Sequence, residues 1–371
     1  MVNHLIVGRR SRPYSYSSTM VDWSQLPYDL VVSIANQLFE VVDFLSFSAV
    51  CRSWRLVYLK RNWTPSHCDP WLMLGEYTEG DVSIRQFLSL TQFRVYKFPL
   101  PEANGCRCWG TSHGWIVTLS QGFAIRLVNP LTRACLDHPE HSMLRSRGHN
   151  KVDWFAAIQK AVVLKVRDEF VTMVIHSYNL CLSFAKHGDG AWTDVPFSVP
   201  VSLINIVCFK DKVLALTGVG SLLLIDIEGP DCPRALCIAS PPGNTKGWKN
   251  MYLVESSENL LLVLRYKHQL KLKFKVYKFD ILQRKWMASV DIGNNILFVD
   301  DYGCTSVSAC GSIKPNCIYF AQDNLESSVL PQQEQTLIIC NIKDDSTDIQ
   351  RIDAKPTTFY ACPVWTTPAL W

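Results

Sequence analysis

No apolar run in this 371-residue chain approaches the roughly 18 residues a membrane helix needs, and the longest, around Leu222–Ile227, is strand-sized. Charge is also scarce, at 19% of residues with a net +4. So weak and unclustered a balance makes no general case for nucleic-acid or membrane binding. Cysteine is too sparse for a disulfide scaffold: the fourteen are scattered (Cys51, Cys68, Cys181, Cys208, Cys340). Several sit in apolar runs such as Ile206-Val207-Cys208-Phe209, where they read as small buried hydrophobes, and a reducing nuclear or cytosolic compartment fits them. No phosphate-binding glycine loop is visible, since Gly218-x-Gly220 falls in a turn between strands. Acid is missing from the first 19 residues, which hold Arg9, Arg10, Arg12 and several serines. A transit peptide has such a composition. Without an amphipathic helix before Pro13, residues 1–20 read instead as a flexible extension, and Met20 is an alternative start.

What is present is ample apolar material, 48% of residues, in a length that suits one large domain and a small one. Between Trp23 and Trp63 the periodicity is helical. Leu26-Pro27 opens a helix, with Asp29 near the positive end of its dipole. Leu30, Ile34 and Leu38 follow at spacings of four on one face. Asp43 reads as the cap of a second helix carrying Phe44, Leu45 and Phe47. A third carries Val50, Trp54, Val57 and Tyr58 on one stripe. Three short helices bury little surface alone, so this module either docks on a partner or packs on the domain behind it; periodicity leaves both open.

The order of residues is more specific. Leu26-Pro27-x-Asp29-Leu30-x-x-x-Ile34, then Leu38, Asp43 and Val50-Cys51-Arg52-x-Trp54-Arg55 resembles the F-box motif over its whole length. Phe47-Ser48-Ala49 departs mildly from the more basic or bulkier stretch often found there. The resemblance assigns residues 21–65 to an F-box and implies binding to the Skp adaptor of an SCF-type ubiquitin ligase, and through it to cullin. Leu26, Pro27, Leu30, Ile34, Val50, Cys51 and Trp54 occupy the motif's apolar positions and are the Skp-contacting residues it implies.

From about Pro70 the pattern changes to short apolar runs punctuated by turns, an all-β signature. Trp115–Leu119 and Phe123–Val128 form a hairpin ending in Asn129-Pro130. Lys160–Val166 with Phe170–His176, and Ile206–Phe209 with Lys212–Thr217 and Ser221–Ile227, repeat the phrase. Tyr252–Val254 with Leu260–Arg265, and Cys317–Phe320 with Thr336–Asn341, do so again. Strand, turn, strand and then Asp or Asn recurs every 40–50 residues or so, the length of a four-stranded propeller blade. A β-sandwich pair is the alternative, because no clean kelch or Trp-Asp signature appears. His113-Gly114-Trp115, Val128-Asn129-Pro130-Leu131-Thr132-Arg133, Asn316-Cys317-Ile318-Tyr319-Phe320 and Pro363-Val364-Trp365 then look like the plant F-box family bearing domain of unknown function 295. That likeness implies a mainly β chain with a small α module: a three-helix F-box followed by a degenerate kelch-like β-propeller over residues 66–371.

Other chemistry fares poorly. Gly110-Thr111-Ser112-His113-Gly114 matches a nucleophile elbow, but that geometry needs a helix next and Trp115–Leu119 reads as a strand. Cys135, His138, His141 and His149 have zinc-like spacing, interrupted by Pro139, while Cys106-x-Cys108 lacks a second pair. Lys271, Lys273 and Lys275 alternate with apolar residues, as on a solvated edge strand; a basic patch for an acidic partner is the sharper alternative. No catalytic, metal or cofactor residue is assigned. The expected function is a ligase substrate adaptor, with the target unknown. A non-catalytic scaffold, a ligand- or glycan-binding propeller and an enzyme built at a propeller mouth are the competing readings.

Overall fold

The computed structural model describes residues 22–38, 41–60, 70–80, 82–111, 113–140, 154–166, 169–228, 233–243, 250–268, 271–309, 313–322, 335–352 and 362–369. The expected extension over residues 1–20 lies outside them, as do Ser112, His141 and His149. The chain divides into two compact units, Met1–Pro65 and Ser66–Trp371.

In the first unit, Asp22 caps a single turn, Trp23–Gln25, by accepting the Ser24 N–H at 3.0 Å. Helices α1 (Tyr28–Ala35), α2 (Val41–Ser48) and α3 (Arg52–Lys60) follow. Pro27 stands at the N-cap of α1, where a missing N–H costs nothing, and Asp29 lies in the first turn. Two local expectations shift. Asp43 sits inside the first turn of α2 rather than capping it, and Val50 precedes α3 instead of joining its stripe. Val31, Ala35, Val41, Phe44, Phe47 and Val57 form the small core. Phe47 anchors it, with ring centroids 5.8 Å from Phe44 and 4.6 Å from Trp54.

The second unit is a six-bladed β-propeller. Blade one holds β1 (Trp71–Glu79), β2 (Val82–Ser89) and β3 (Arg94–Pro99). Blade two holds β4 (Arg107–Gly110), β5 (Ile116–Leu119), β6 (Ile125–Val128) and β7 (Cys135–Asp137). Blade three comprises β8 (Ile158–Val166), β9 (Glu169–His176), β10 (Cys181–Lys186) and β11 (Thr193–Asp194). Blade four comprises β12 (Leu203–Phe209), β13 (Lys212–Thr217), β14 (Leu222–Asp226) and β15 (Arg234–Ala239). Blade five runs through β16 (Asn250–Ser256), β17 (Asn259–His268), β18 (Lys271–Asp280) and β19 (Lys285–Ser289). Blade six is irregular: β20 (Asn295–Val299), β21 (Cys304–Ser308), β22 (Cys317–Gln322), β23 (Gln335–Asn341) and β24 (Thr347–Ile352) make a five-stranded sheet. Within it β20 and β22 pair in parallel. Strand β25 (Val364–Thr366) returns to blade one and pairs antiparallel with β1.

Strands β25, β4, β8, β12, β16 and β21 each pack on the next, and β21 closes on β25, so these six ring the axis. The core lies between blades. Leu72, Leu74 and Leu88 of blade one meet Phe298, Tyr319 and Leu337 of blade six, and equivalent clusters join blades three to four, four to five and five to six. A strand covered on both faces needs no alternation, which is why β4 and β5 are buried at every position.

The recurring Asp or Asn has a structural task. Asn129 Oδ1 accepts the Leu131 and Thr132 N–H groups, each at 3.0 Å. Asp280 Oδ1 accepts from Gln283 at 2.8 Å, and Asn341 Oδ1 accepts from Lys343 at 2.9 Å. Each begins the turn after the strand that precedes the outermost one, and its side chain satisfies turn donors that the ladder leaves open.

Candidate functional site

Two sites follow from this framework. The first is the apolar surface of the helical unit. Helix α1 turns Val31 and Ala35 into the core, which leaves Leu30 52% exposed and Ile34 half-buried on the next face round. Leu26 is half-buried and Pro27 exposed, while Val50, just before α3, is 53% exposed. Cys51 and Trp54 are half-buried. Trp54 packs tilted against Phe47 and donates Nε1–H to the Trp23 carbonyl at 3.2 Å, which holds the entry turn against α3. Ser53 strengthens the same tie by donating to the Ser24 carbonyl at 3.1 Å. The Cys51 thiol lies 3.0 Å from the Ser53 hydroxyl, whose hydrogen bond draws its pKa below the usual thiol value. All seven residues singled out from the sequence keep some accessible surface, although Trp54 also packs on Phe47 of the core.

The second is a cavity of about 280 Å³ on the propeller axis, lined by the inner strands of blades two to six. Those of blades three to six run in one direction. Near their starts, Lys160 on β8 reaches the Asp301 carbonyl at 3.5 Å, and Asn250 and Tyr252 on β16 donate to Asp301 Oδ1 at 3.1 and 2.6 Å. Near their ends, Cys208 on β12 donates to the Lys165 carbonyl of β8, and Ser256 of β16 meets Ser306 of β21 at 2.8 Å. Lys160 and Asn205 therefore sit toward one mouth. Glu255 sits toward the other, where desolvation first and then Asp211 and Glu258 raise its pKa.

Asp300 joins the last blade to the first. It is fully buried and accepts backbone N–H groups from Tyr302 at 2.5 Å, from Trp365 at 2.6 Å and from Gly303. Burial pushes its pKa up to about 7, against Lys160 and these three donors, which pull it down. Trp365 adds an Nε1–H bond to the Val299 carbonyl at 3.2 Å and an edge-on contact with Phe298. Nearby, Arg107 donates to the Ile158 carbonyl at 2.7 Å and lies over the rings of Phe155 and Trp109, at 4.3 and 4.8 Å. This polar axis was missed from sequence. Its only sign there is a lysine, an asparagine and an aspartate pair at the edges of otherwise apolar strands.

The remaining motifs resolve into architecture. Beyond Gly110 at the end of β4, Thr111 Oγ1 donates to the Trp115 carbonyl at 2.6 Å, and the next element is β5, not a helix. His138 Nε2 bonds Thr172 at 2.9 Å and its ring packs on Trp192, while Cys135 is exposed on β7. Desolvation lowers the His138 pKa to about 4. Among the described residues no group of three metal-ligating side chains converges. Among the described residues Lys271–Lys275 pairs with β17 alone, because β19 covers only Val276–Asp280, so this stretch is an edge there. Lys273 there is paired with Asp345. His176 is buried between Ser177 and Ser183 hydroxyls, and Ser183 donates to Asp194; the chain of bonds pins three adjacent strands.

The chain is similar to several known proteins. F-box protein SKIP23 of Arabidopsis thaliana is 24% identical over 408 residues, covering 94% of this chain and 96% of the relative. F-box protein At2g17036 of Arabidopsis thaliana is 22% identical over 400 residues, covering 94% and 95%. Among solved structures, Hsv2 of Kluyvelomyces marxianus is 13% identical with a TM-score of 0.34, covering 58% of this chain and 65% of its own. The KIB1-4 beta-propeller family model matches residues 87–348, and the chain belongs to that family.

Proposed function

We propose that this chain is the substrate-recognition adaptor of an SCF-type E3 ubiquitin ligase, with residues 21–65 as an F-box that binds the Skp subunit, and cullin through it. The observation that carries this reading is the division of apolar residues in the helical unit. Val31, Ala35, Phe44 and Phe47 are spent on its core, whereas Leu26, Pro27, Leu30, Ile34, Val50, Cys51 and Trp54 keep accessible surface. Relatives that carry F-box in their names and share nearly the full length support it. On this reading the propeller, kelch-like and of the domain of unknown function 295 type, binds a target protein. No residue of the chain does chemistry: the rate gain comes from holding target lysines at high effective concentration near a charged ubiquitin carrier. The same reading makes it a plant protein of the nucleus or cytoplasm.

The test is co-purification of the full chain with a Skp adaptor, comparing wild type with Leu30→Asp/Ile34→Asp. The double variant is expected to lose the adaptor while its propeller keeps its thermal transition. Undiminished binding would overturn the assignment.

A further inference from the structure

Two side-chain donors that line the axial cavity are poorly matched, and this observation is independent of the ligase reading. Lys160 is 4% exposed, and its Nζ reaches one oxygen, the Asp301 carbonyl, at a marginal 3.5 Å. Asn205 is 3% exposed. Its Oδ1 accepts the Ile206 N–H at 2.8 Å, which leaves Nδ2 with no partner among the described residues. Both donors line the cavity, where an acceptor would supplement the long Lys160 bond and pair the open Asn205 Nδ2. The carboxylates near Lys160 are already engaged: Asp300 accepts three backbone N–H groups, and Asp301 accepts from Asn250 and Tyr252 beside Arg265. An occupant must therefore bring acceptors. Arg265 offsets Asp301, and Asp300, whose pKa burial raises to about 7, carries less than a full charge, so the Lys160 ammonium leaves room for a single negative charge and not for a doubly charged phosphate. Leu164, Ile206 and Leu253, members of the between-blade clusters, also border the cavity.

We propose that the axial cavity binds a carboxylate, whose oxygens accept from Lys160 Nζ and Asn205 Nδ2 and whose short apolar chain lies along Leu164, Ile206 and Leu253. A small free acid and the C-terminus of a peptide both offer this chemistry.

The test is calorimetric titration of the full chain with butanoate and with its neutral isostere butanamide, and with trialanine as free acid and as C-terminal amide. Saturable binding of one carboxylate, at least tenfold tighter than its amide, is expected, and which acid binds identifies the source. Asn205→Asp keeps the acceptor for Ile206 but replaces the donor, and Lys160→Met removes the charge while keeping the stem. Each is expected to weaken binding at least tenfold, while Glu255→Gln, toward the other mouth, leaves it unchanged. Melting temperatures taken alongside identify a variant that has lost the fold, and the other variant then decides. Equal binding of acid and amide, no loss in the folded variants, or no saturable binding of any carboxylate would overturn the proposal.

Discussion

One added methyl group should open the propeller. Gly110 ends β4 where it passes β25, and a Cβ built there would lie 1.8 Å from the Trp365 carbonyl oxygen and 2.7 Å from its carbon. Both obstacles are backbone, so no rotamer change relieves the clash. The two strands must part by ~1.5 Å to reach ordinary contact. Gly303 offers no slack, because its own Cβ position is already 3.3 Å from the Gly110 and Trp365 carbonyl oxygens. Overpacking that side chains can absorb costs about 1–3 kcal/mol. Here the displaced strand carries Trp365 and Val364, both buried, the Trp365 N–H bond to Asp300, and the bonds from Thr366 Oγ1 and Thr367 N to the Thr111 carbonyl. Losing the tryptophan's burial alone is a ~3–5 kcal/mol event. Gly110→Ala is therefore expected to cost ~4 kcal/mol or more, a large part of a typical domain's ~5–15 kcal/mol. Gly190→Ala is the control, since a Cβ there meets nothing within 4 Å; it should stay within ~1 kcal/mol of wild type. Urea unfolding of the full chain, followed by tryptophan fluorescence, gives both values. A Gly110→Ala midpoint indistinguishable from that of Gly190→Ala would refute the account of closure.

Three further outcomes are expected. Asp300 has a folded pKa near 7 against 3.8 for a free aspartate, so the folded state holds a proton that the unfolded state has lost between those values. Its contribution is thus fully present below about pH 4 and is lost as pH rises to about 7, by at most ~4 kcal/mol; the urea midpoint of wild type minus that of Asp300→Asn should fall across that window. Arg85 and Glu76 form a buried pair at 3.1 Å, with Arg85 also donating to the Ala103 carbonyl at 2.9 Å. Arg85→Met should destabilise by ~3–5 kcal/mol because it strands the carboxylate, and Arg85→Met/Glu76→Leu should recover much of that loss in thermal unfolding. At the helical unit, Leu30→Asp alone should shift stability by no more than ~0.5 kcal/mol, since the side chain is half exposed, yet weaken adaptor binding at least tenfold by surface plasmon resonance.

What could be read in advance was local. The hairpins around Asn129, Asp226 and Asn341 are specified by residues a few positions apart, through strand-forming runs and a side chain that caps its own turn. The F-box-like order is equally short-range: Leu30 and Ile34 follow from a spacing of four, and the structure adds only that Val31 and Ala35, one position on, are the pair turned inward. Closure and the axis were illegible for the opposite reason. The bond from Asn129 Nδ2 to the Ala369 carbonyl spans 240 residues, and Asp300 meets Trp365 across 65. No periodicity encodes which distant strand will complete a sheet. The parallel pairing of β20 with β22 also escaped, because their intervening β21 folds back to the inner edge, and strand sequences say little about partner or direction. Yet the axis left one trace. A lysine at the third position of the apolar strand Ile158–Val166, and an asparagine at the third of Leu203–Phe209, break runs that packing between blades would otherwise keep apolar. In a propeller such positions face either a neighbouring blade or the axis. Burial between blades would leave an ammonium and an amide without water or partners, so the axis is the cheaper place for both. A polar residue near the start of an inner strand is therefore a readable pointer to the channel, once the blade repeat has been found.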